Sequence, residues 1–368
     1  MTRLELAVFE GDGIGPEVTQ ATMDVVTAVL DALGTDHHVE HIPIGFPALN
    51  AMGSTFPASA LQLAQRADGI ILGPVSHLDY PSADEGGINP SGTLRRELDL
   101  YANIRPARTY EGVEARTSKS FDLVIVRENT EGFYADRTMF AGTGEVMPTP
   151  DLALSFRKVT RAGSMRIAEE AFAQARQRRS SVTAVHKANV LRTSDGLFLE
   201  CVRHVRAQYP DVDYREELVD AMAALLIRDP SQFDVIVTTN MFGDILSDEA
   251  TELSGSIGLA ASLNLGTKHA MAQAQHGSAP QLAGRNLANP ASLMSSAAML
   301  LRWLEPRTGN ENLTEAANAI DCAITEAVRF SETRTADLGG TLGTREFTEL
   351  VADRCIELLN STNEVVQG

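Results

Sequence analysis

The run from Val235 to Asp248 constrains this chain most. It opens with Val235, Ile236, Val237 and Thr238, an apolar and β-branched set that reads as a buried strand. It then turns through Thr239, Asn240 and Gly243, and from Asp244 onward the spacing predicts a helix. Asp244 and Asp248 are four apart, so they project from one face of that helix. Ligands of open α/β sheets bind outside the carboxyl ends of the strands, where such handovers occur. Two carboxylates there, with no His or Cys beside them, suit a hard divalent cation such as Mg²⁺ or Mn²⁺. The same pair also fits a solvated acidic helix start, which the helix dipole favours by itself.

The alternation of strand and helix runs through the chain. Leu4 to Phe9 reads as a strand, followed by the glycine-rich Gly11-Asp-Gly-Ile-Gly-Pro-Glu17 and a helix carrying Val25, Val26, Val29, Leu30 and Leu33. Ala67 to Pro74 is a second short strand and turn, and glycines and polar residues follow as far as Thr93. Leu94 to Leu100 reads as a helix, Tyr101 to Pro106 as an extended exit from it, and Asp122 to Arg127 as a buried strand. Residues 135–160 form a β-like excursion and a candidate subunit contact. Arg161 to Arg179 is an amphipathic helix, and Val182 to Val190 a strand with a polar end. Ser194 is placed to cap the next helix. Tyr214 to Val219 is a strand, Asp220 opens a helix, and three closing helices begin near Ala291, Leu313 and Arg345. This order predicts an α/β fold. Pro16 stands where a dinucleotide fingerprint needs its third glycine, which argues against an ordinary Rossmann domain. The loop can still approach a ligand with its backbone.

The chain has 368 residues and a formal net charge of −18. The length allows two domains or one bilobal unit. The charge argues against nucleic-acid binding and requires local cations if the substrate is an anion. No run of 18 apolar residues suggests a membrane span, and the N-terminal stretch has no signal-type apolar region. Cys201, Cys322 and Cys355 are odd in number and lie in apolar helical contexts. Buried free thiols and a cytoplasmic location are therefore expected.

Several side chains suit chemistry on an anionic substrate. Arg95 and Arg96 share one helix, Arg105 precedes a proline, and Arg127 ends a buried strand. Burying an unpaired charge is costly, and a guanidinium holds a carboxylate bidentately. Structural ion pairs would explain the same placements. Tyr134 follows Arg127 past a polar turn, and Lys187 ends another strand. A phenol and an amine are an acid and base pair if the pocket shifts their pKa values. Each is otherwise an ordinary half-buried aromatic or snorkelling surface residue. His186 reads as structural, since no His or Cys partner lies at ligand spacing. Asp220 is either a helix-start residue or a third oxygen ligand beside Asp244 and Asp248.

Taken in order, the glycine stretch at 11–17, Leu94-Arg-Arg, Ala102-Asn-Ile-Arg-Pro106, Val126 to Tyr134, His186-Lys-Ala-Asn189, Asp229 to Asp234, Asn240 to Asp248, and His276-Gly-Ser-Ala-Pro280 through Pro290 form one long pattern. The chain resembles the isocitrate/isopropylmalate dehydrogenase family of β-decarboxylating dehydrogenases from end to end. The resemblance implies a two-domain fold with a large mixed sheet flanked by helices. Residues 1–100 and 255–368 would form the dinucleotide-binding domain. Residues 101–254 would carry substrate, metal and dimer contacts, with a clasp-like arm at about 135–160.

The resemblance also implies roles. Arg95, Arg105 and Arg127 would hold the carboxylates of a dicarboxylate or tricarboxylate 2-hydroxy acid. Asp244 and Asp248 would bind Mg²⁺ or Mn²⁺ with Asp220 of a neighbouring subunit, and Lys187, also from the neighbour, would be the base. Tyr134 would protonate the enol. Gly13, Ile14, His276, Gly277, Ser278, Ala279, Gln281 and Asn289 would hold the dinucleotide, in a homodimer whose active sites are shared. Members preferring NAD carry an acid where this chain has Gln281, and the Lys-then-Tyr pattern of NADP users is absent. NAD is therefore expected over NADP, although Arg285 lies nearby. The stretch from Asn89 to Thr93, with Asn89 and Ser91, would meet the C3 substituent. Its small polar character argues for isocitrate over 3-isopropylmalate, with homoisocitrate, D-malate and tartrate as alternatives. A non-catalytic regulatory subunit is the rival of another class. Such subunits tend to lose the Tyr, the Lys or the arginines, all of which are present here.

Overall fold

The structure, a computed structural model, describes residues 3–134, 139 and 144–367, with side chains as far as 361. Its centre is a ten-stranded mixed sheet. In chain order the strands are β1 (Leu4–Phe9), β2 (His37–His41), β3 (Gly69–Leu72), β4 (Ala102–Arg108) and β5 (Asp122–Glu128). Then come β8 (Ser181–His186), β9 (Asp213–Leu218), β10 (Val235–Thr238), β11 (Leu263–Leu265) and β12 (Ala270–Gln273). A separate exposed ribbon pairs β6 (Glu145–Thr149) with β7 (Leu152–Ser155) in antiparallel fashion. The predicted excursion at 135–160 is thus β-structured where it is described; positions 135–138 and 140–143 lie outside the described residues.

The spatial order is β2-β1-β3-β12-β11-β4-β5-β10-β8-β9. β2, β1, β3 and β12 run parallel, as do β5, β10, β8 and β9. Between them β11 is antiparallel to β12 and to β4, and β4 is antiparallel to β5. The two parallel blocks therefore run in opposite directions. Strands buried on both faces need continuous apolar runs. Val235, Ile236 and Val237 of β10 and the inner residues of β5 are accordingly buried throughout.

Helices cover both faces. α1 (Gly15–Ala32), α9 (Ala291–Thr308), α10 (Asn312–Ala327) and α11 (Thr344–Gln367) pack on one another beside the first block. α2 (Gly45–Met52), α3 (Ala58–Arg66) and α4 (Pro90–Glu97) lie on its other side, over a core of Phe9, Phe56, Leu72, Leu94 and Met271. Beside the second block α5 (Arg161–Arg176) packs on α6 (Ser194–Arg206). α7 (Val219–Arg228) and α8 (Asn240–Ser254) cover the opposite side, over Leu123, Ile125, Phe233 and Leu246. Among the described residues no helix is long and apolar enough to cross a membrane.

Four local expectations change. α4 starts at Pro90, not Leu94. The Asn89 side chain accepts from Gly92 N at 3.1 Å and Pro90 occupies the first turn, a favoured N-terminal pairing. Gly243 lies inside α8, where a Cβ would stand 2.7 Å from the Cβ and Cγ of Arg127. The glycine marks a close approach of helix to strand, not a turn. Ser194 is the first residue of α6 and makes no cap; its hydroxyl accepts from Arg157 at 3.1 Å. Cys201 and Cys355 are buried free thiols, but Cys322 is exposed.

Candidate active site

A cavity of about 270 Å³ opens where α4, β4, β5, β12 and α8 meet. Asn89, Ser91, Arg95, Arg105, Arg127, Tyr134, Asp244 and Gln273 line it. Arg95 reaches it from α4 and Arg105 from the middle of β4. Arg127 comes from the end of β5, and Asp244 from the first turns of α8, which follows β10 directly.

The two buried arginines are held by neighbouring side chains. Arg127 donates through Nε and Nη2 to Asn240 Oδ1, at 2.9 and 2.7 Å, and through Nη1 to Asp244 Oδ1. Arg105 donates to Asn103 Oδ1 at 2.6 Å and to Ser247 Oγ at 2.7 Å, and lies 3.2 Å from Asp244 and 3.4 Å from Asp248. Burial, then the neighbouring Arg127 charge, pushes the Arg105 guanidinium down to about 10, against the pull of both aspartates. Burial tends to raise the Asp244 carboxyl. The charges of Arg127 and then Arg105 outweigh it, helped by Tyr134, whose hydroxyl donates to Asp244 Oδ2 at 3.0 Å, and hold it below the usual carboxylate range.

Asp244 and Asp248 converge on one guanidinium nitrogen, so their carboxylates lie close together. Both are oxygen donors, which fits a hard divalent cation. Asp220 does not join them. It stands at the start of α7, where Lys187 Nζ donates to its carboxylate and holds its pKa down. Neither residue lines the cavity, and among the described residues no three metal-ligating groups gather. One chain thus brings two of the three expected carboxylates together, Asp244 on the cavity wall and Asp248 beside it on the same Arg105 nitrogen, and keeps the third beside Lys187. His186 makes a local backbone contact, its Nδ1 accepting from Ala188 N at 3.0 Å.

The expected dinucleotide segments also meet. Ile14 N donates to Ser278 O at 2.8 Å, and a Cβ on Gly13 would lie 2.1 Å from that same oxygen. The glycine is required by this backbone contact. Asp12 ties the neighbourhood together, accepting from Phe46 N at 2.8 Å, Ser76 N at 3.0 Å and Tyr80 Oη. Ser76 Oγ in turn lies 2.7 Å from Ser278 Oγ. Ala279 adopts a left-handed conformation with φ of 35°, and a Cβ on Gly277 would meet nothing within 4 Å.

His276 Nδ1 lies 3.0 Å from Gly277 O, so it carries the proton, and the buried Nε2 is left as an acceptor with no partner. Burial lowers the imidazole pKa against the Gly277 carbonyl and Asp337. An orphaned buried acceptor fits a hydroxyl or amine donor from a bound dinucleotide. Gln281 is exposed, and Arg285 Nη1 lies 3.4 Å from its carbonyl. Asn289 is engaged internally, donating to Asp337 at 3.1 Å and accepting from Ala291 N at 3.0 Å. Its side chain is less open to a cofactor than the sequence suggests.

Sequence reading passed over two glutamines. Gln273 lines the cavity, and Gln275 Nε2 donates to Asp248 Oδ1 at 2.7 Å. Their position just before His276 was the available signal.

Comparison with known proteins bears on this geometry. The family described as isocitrate/isopropylmalate dehydrogenase matches residues 5–351. The 3-isopropylmalate dehydrogenase of Saccharolobus solfataricus is 36% identical, over 94% of this chain and 97% of its own length. Mitochondrial NAD isocitrate dehydrogenase catalytic subunit 5 of Arabidopsis thaliana is 37% identical, over 96% and 88%. The crystal structure of isocitrate dehydrogenase from Methylococcus capsulatus superposes with a TM-score of 0.85 at 36% identity, covering 96% of this chain and 99% of that one. Overall similarity therefore does not choose between these substrates.

Proposed function

The chain belongs to the isocitrate/isopropylmalate dehydrogenase family, the decarboxylating hydroxy acid dehydrogenases, and from that premise we propose that it oxidises and decarboxylates an isocitrate-like malate with NAD. The observation that carries this reading is the single cavity uniting Arg95, Arg105, Arg127, Tyr134 and Asp244. Buried arginines there offset the −18 charge of the chain locally. Ser91 and Gln273 make the wall beside Arg95 polar, which supports a polar C3 substituent over an isopropyl group.

Each residue has a stated task. Arg95, Arg105 and Arg127 hold and orient the substrate carboxylates. Asp244 and Asp248, with Asp220 of a neighbouring copy, hold Mg²⁺ or Mn²⁺; the glycine-rich loop and the His276–Asn289 segment hold NAD. When bound, the cation supplies charge stabilisation for a developing enolate and NAD supplies the hydride acceptor. Lys187 of the neighbouring copy takes the proton of the 2-hydroxyl, and Tyr134 delivers a proton to C3 after CO₂ leaves. This makes a homodimer the working unit, with the β6–β7 ribbon as its clasp. In the same reading residues 1–100 and 255–368 form the dinucleotide domain and 101–254 the other. The buried free thiols Cys201 and Cys355 support a reducing, cytoplasmic location.

A substrate panel tests the proposal. NADH and NADPH formation would be followed with Mg²⁺ or Mn²⁺ against isocitrate, homoisocitrate, 3-isopropylmalate, D-malate and tartrate. Fastest turnover with isocitrate and NAD is expected. Preference for 3-isopropylmalate would overturn the substrate reading. Silence with every acid would revive the regulatory-subunit reading.

A further inference from the structure

Gln273 ends β12 and is half-buried on the cavity wall. Its Oε1 accepts from Ser91 Oγ at 3.0 Å, from Arg95 Nη2 at 3.2 Å and, more weakly, from Asn264 Nδ2 at 3.4 Å. A guanidinium only donates, so the atom facing Arg95 has to be the amide oxygen. That chemistry fixes which way the amide is turned, a choice ordinarily left to inference. The other end of the side chain, Nε2, carries two N–H donors. Among the described residues it donates to no acceptor, and it is not sealed in the interior.

We propose that Gln273 is a specificity-determining residue whose amide N–H groups bind a carboxylate oxygen on the C3 substituent of the substrate. This rests on the isocitrate-like reading above and names the group that reads the extra carboxylate. A neutral amide is the right choice on electrostatic grounds. It orients Ser91 and Arg95 without adding negative charge to the cavity wall, whereas a carboxylate there would repel an anion. An apolar substituent against the same wall would strip the amide N–H groups of water without replacing the bonds, and would be rejected for that reason.

The test uses the purified full chain with NAD and Mg²⁺, as wild type, Gln273→Leu and Gln273→Glu. For each, kcat/KM or an inhibition constant is measured with isocitrate, 3-isopropylmalate and D-malate. In Gln273→Leu the discrimination in favour of isocitrate over D-malate is expected to fall roughly 10- to 100-fold, the value of a hydrogen bond to a charged group. The loss appears mainly in KM, and 3-isopropylmalate gains relative to isocitrate. Gln273→Glu is expected to weaken isocitrate further than Gln273→Leu. Equal loss for all three acids would overturn the proposal, since Gln273 would then only hold Arg95. A raised KM for NAD with unchanged acid discrimination would also overturn it, by assigning the amide to the nicotinamide. If wild type itself prefers D-malate or 3-isopropylmalate, the substrate reading fails, whatever the variants do.

Discussion

Tyr134 donates its hydroxyl to Asp244 across 3.0 Å, on the carboxylate oxygen that Arg127 leaves free. The proposed proton donor and the proposed metal ligand are thus in direct contact. Tyr134→Phe should keep metal binding nearly intact, because both carboxylates and both arginines remain. It should keep some hydride transfer and lose overall decarboxylating turnover. Mn²⁺ titration beside single-turnover and steady-state NADH formation checks this. Unimpaired decarboxylation in the variant would remove Tyr134 from the mechanism.

Gly243 packs against Arg127 with no room for a methyl group. In a free helix Gly→Ala gains about 1 kcal/mol. Here Gly243→Ala is expected to destabilise by about 1 to 3 kcal/mol through overpacking and to raise KM by displacing the guanidinium. Thermal unfolding and steady-state kinetics would show both; a stabilised variant with unchanged KM would refute the packing argument.

Much of this was legible in the sequence, because long apolar strands that end in glycine or polar turns declare themselves. β1, β5 and β10 did so, and Arg127, Asp244 and Asp248 follow from their positions relative to those strands. β2 was missed because only Val39 among its five residues is apolar, as an edge strand permits. Asn89 followed by Pro90 was a readable helix start that the more obvious Leu94 obscured. Gln273 was marked only by its place just before His276. Its meaning comes from Ser91, 182 residues away in sequence, and no local pattern encodes that contact. Asp220 and Lys187 were legible as residues, but their distance from the cavity within one chain is a matter of tertiary structure.

His276 gives a pH prediction. Its folded-state pKa is depressed by burial, so the neutral ring is favoured in the folded chain. The unfolded chain binds the extra proton below about pH 6.5. This group's contribution is therefore complete above that pH and declines as pH falls from there through the folded pKa. His276→Gln should flatten the dependence of the unfolding temperature on pH in that window, measured between pH 5 and 8. An unchanged slope would contradict a neutral His276 ring with its Nε2 buried.

Gln281 neither attracts nor repels a 2′-phosphate strongly, and Arg285 lies against its carbonyl. Gln281→Asp should sharpen preference for NAD over NADP, read as the ratio of kcat/KM values. An unchanged ratio would show that this side chain does not face the ribose.

In the proposed enzyme one cavity is completed by two chains, since Lys187 and Asp220 pair with each other away from the Asp244 cluster. Mixing decides it most directly. Lys187→Met and Tyr134→Phe chains, each without decarboxylating turnover alone, would be unfolded together, refolded at equal amounts and assayed for that turnover. A mixed dimer with shared sites regains one intact site, so activity should return to about a quarter of wild type if copies pair at random. No recovery, with mixed dimers shown to be present, would mean that Lys187 and Tyr134 serve the same site from the same chain, and would contradict the account.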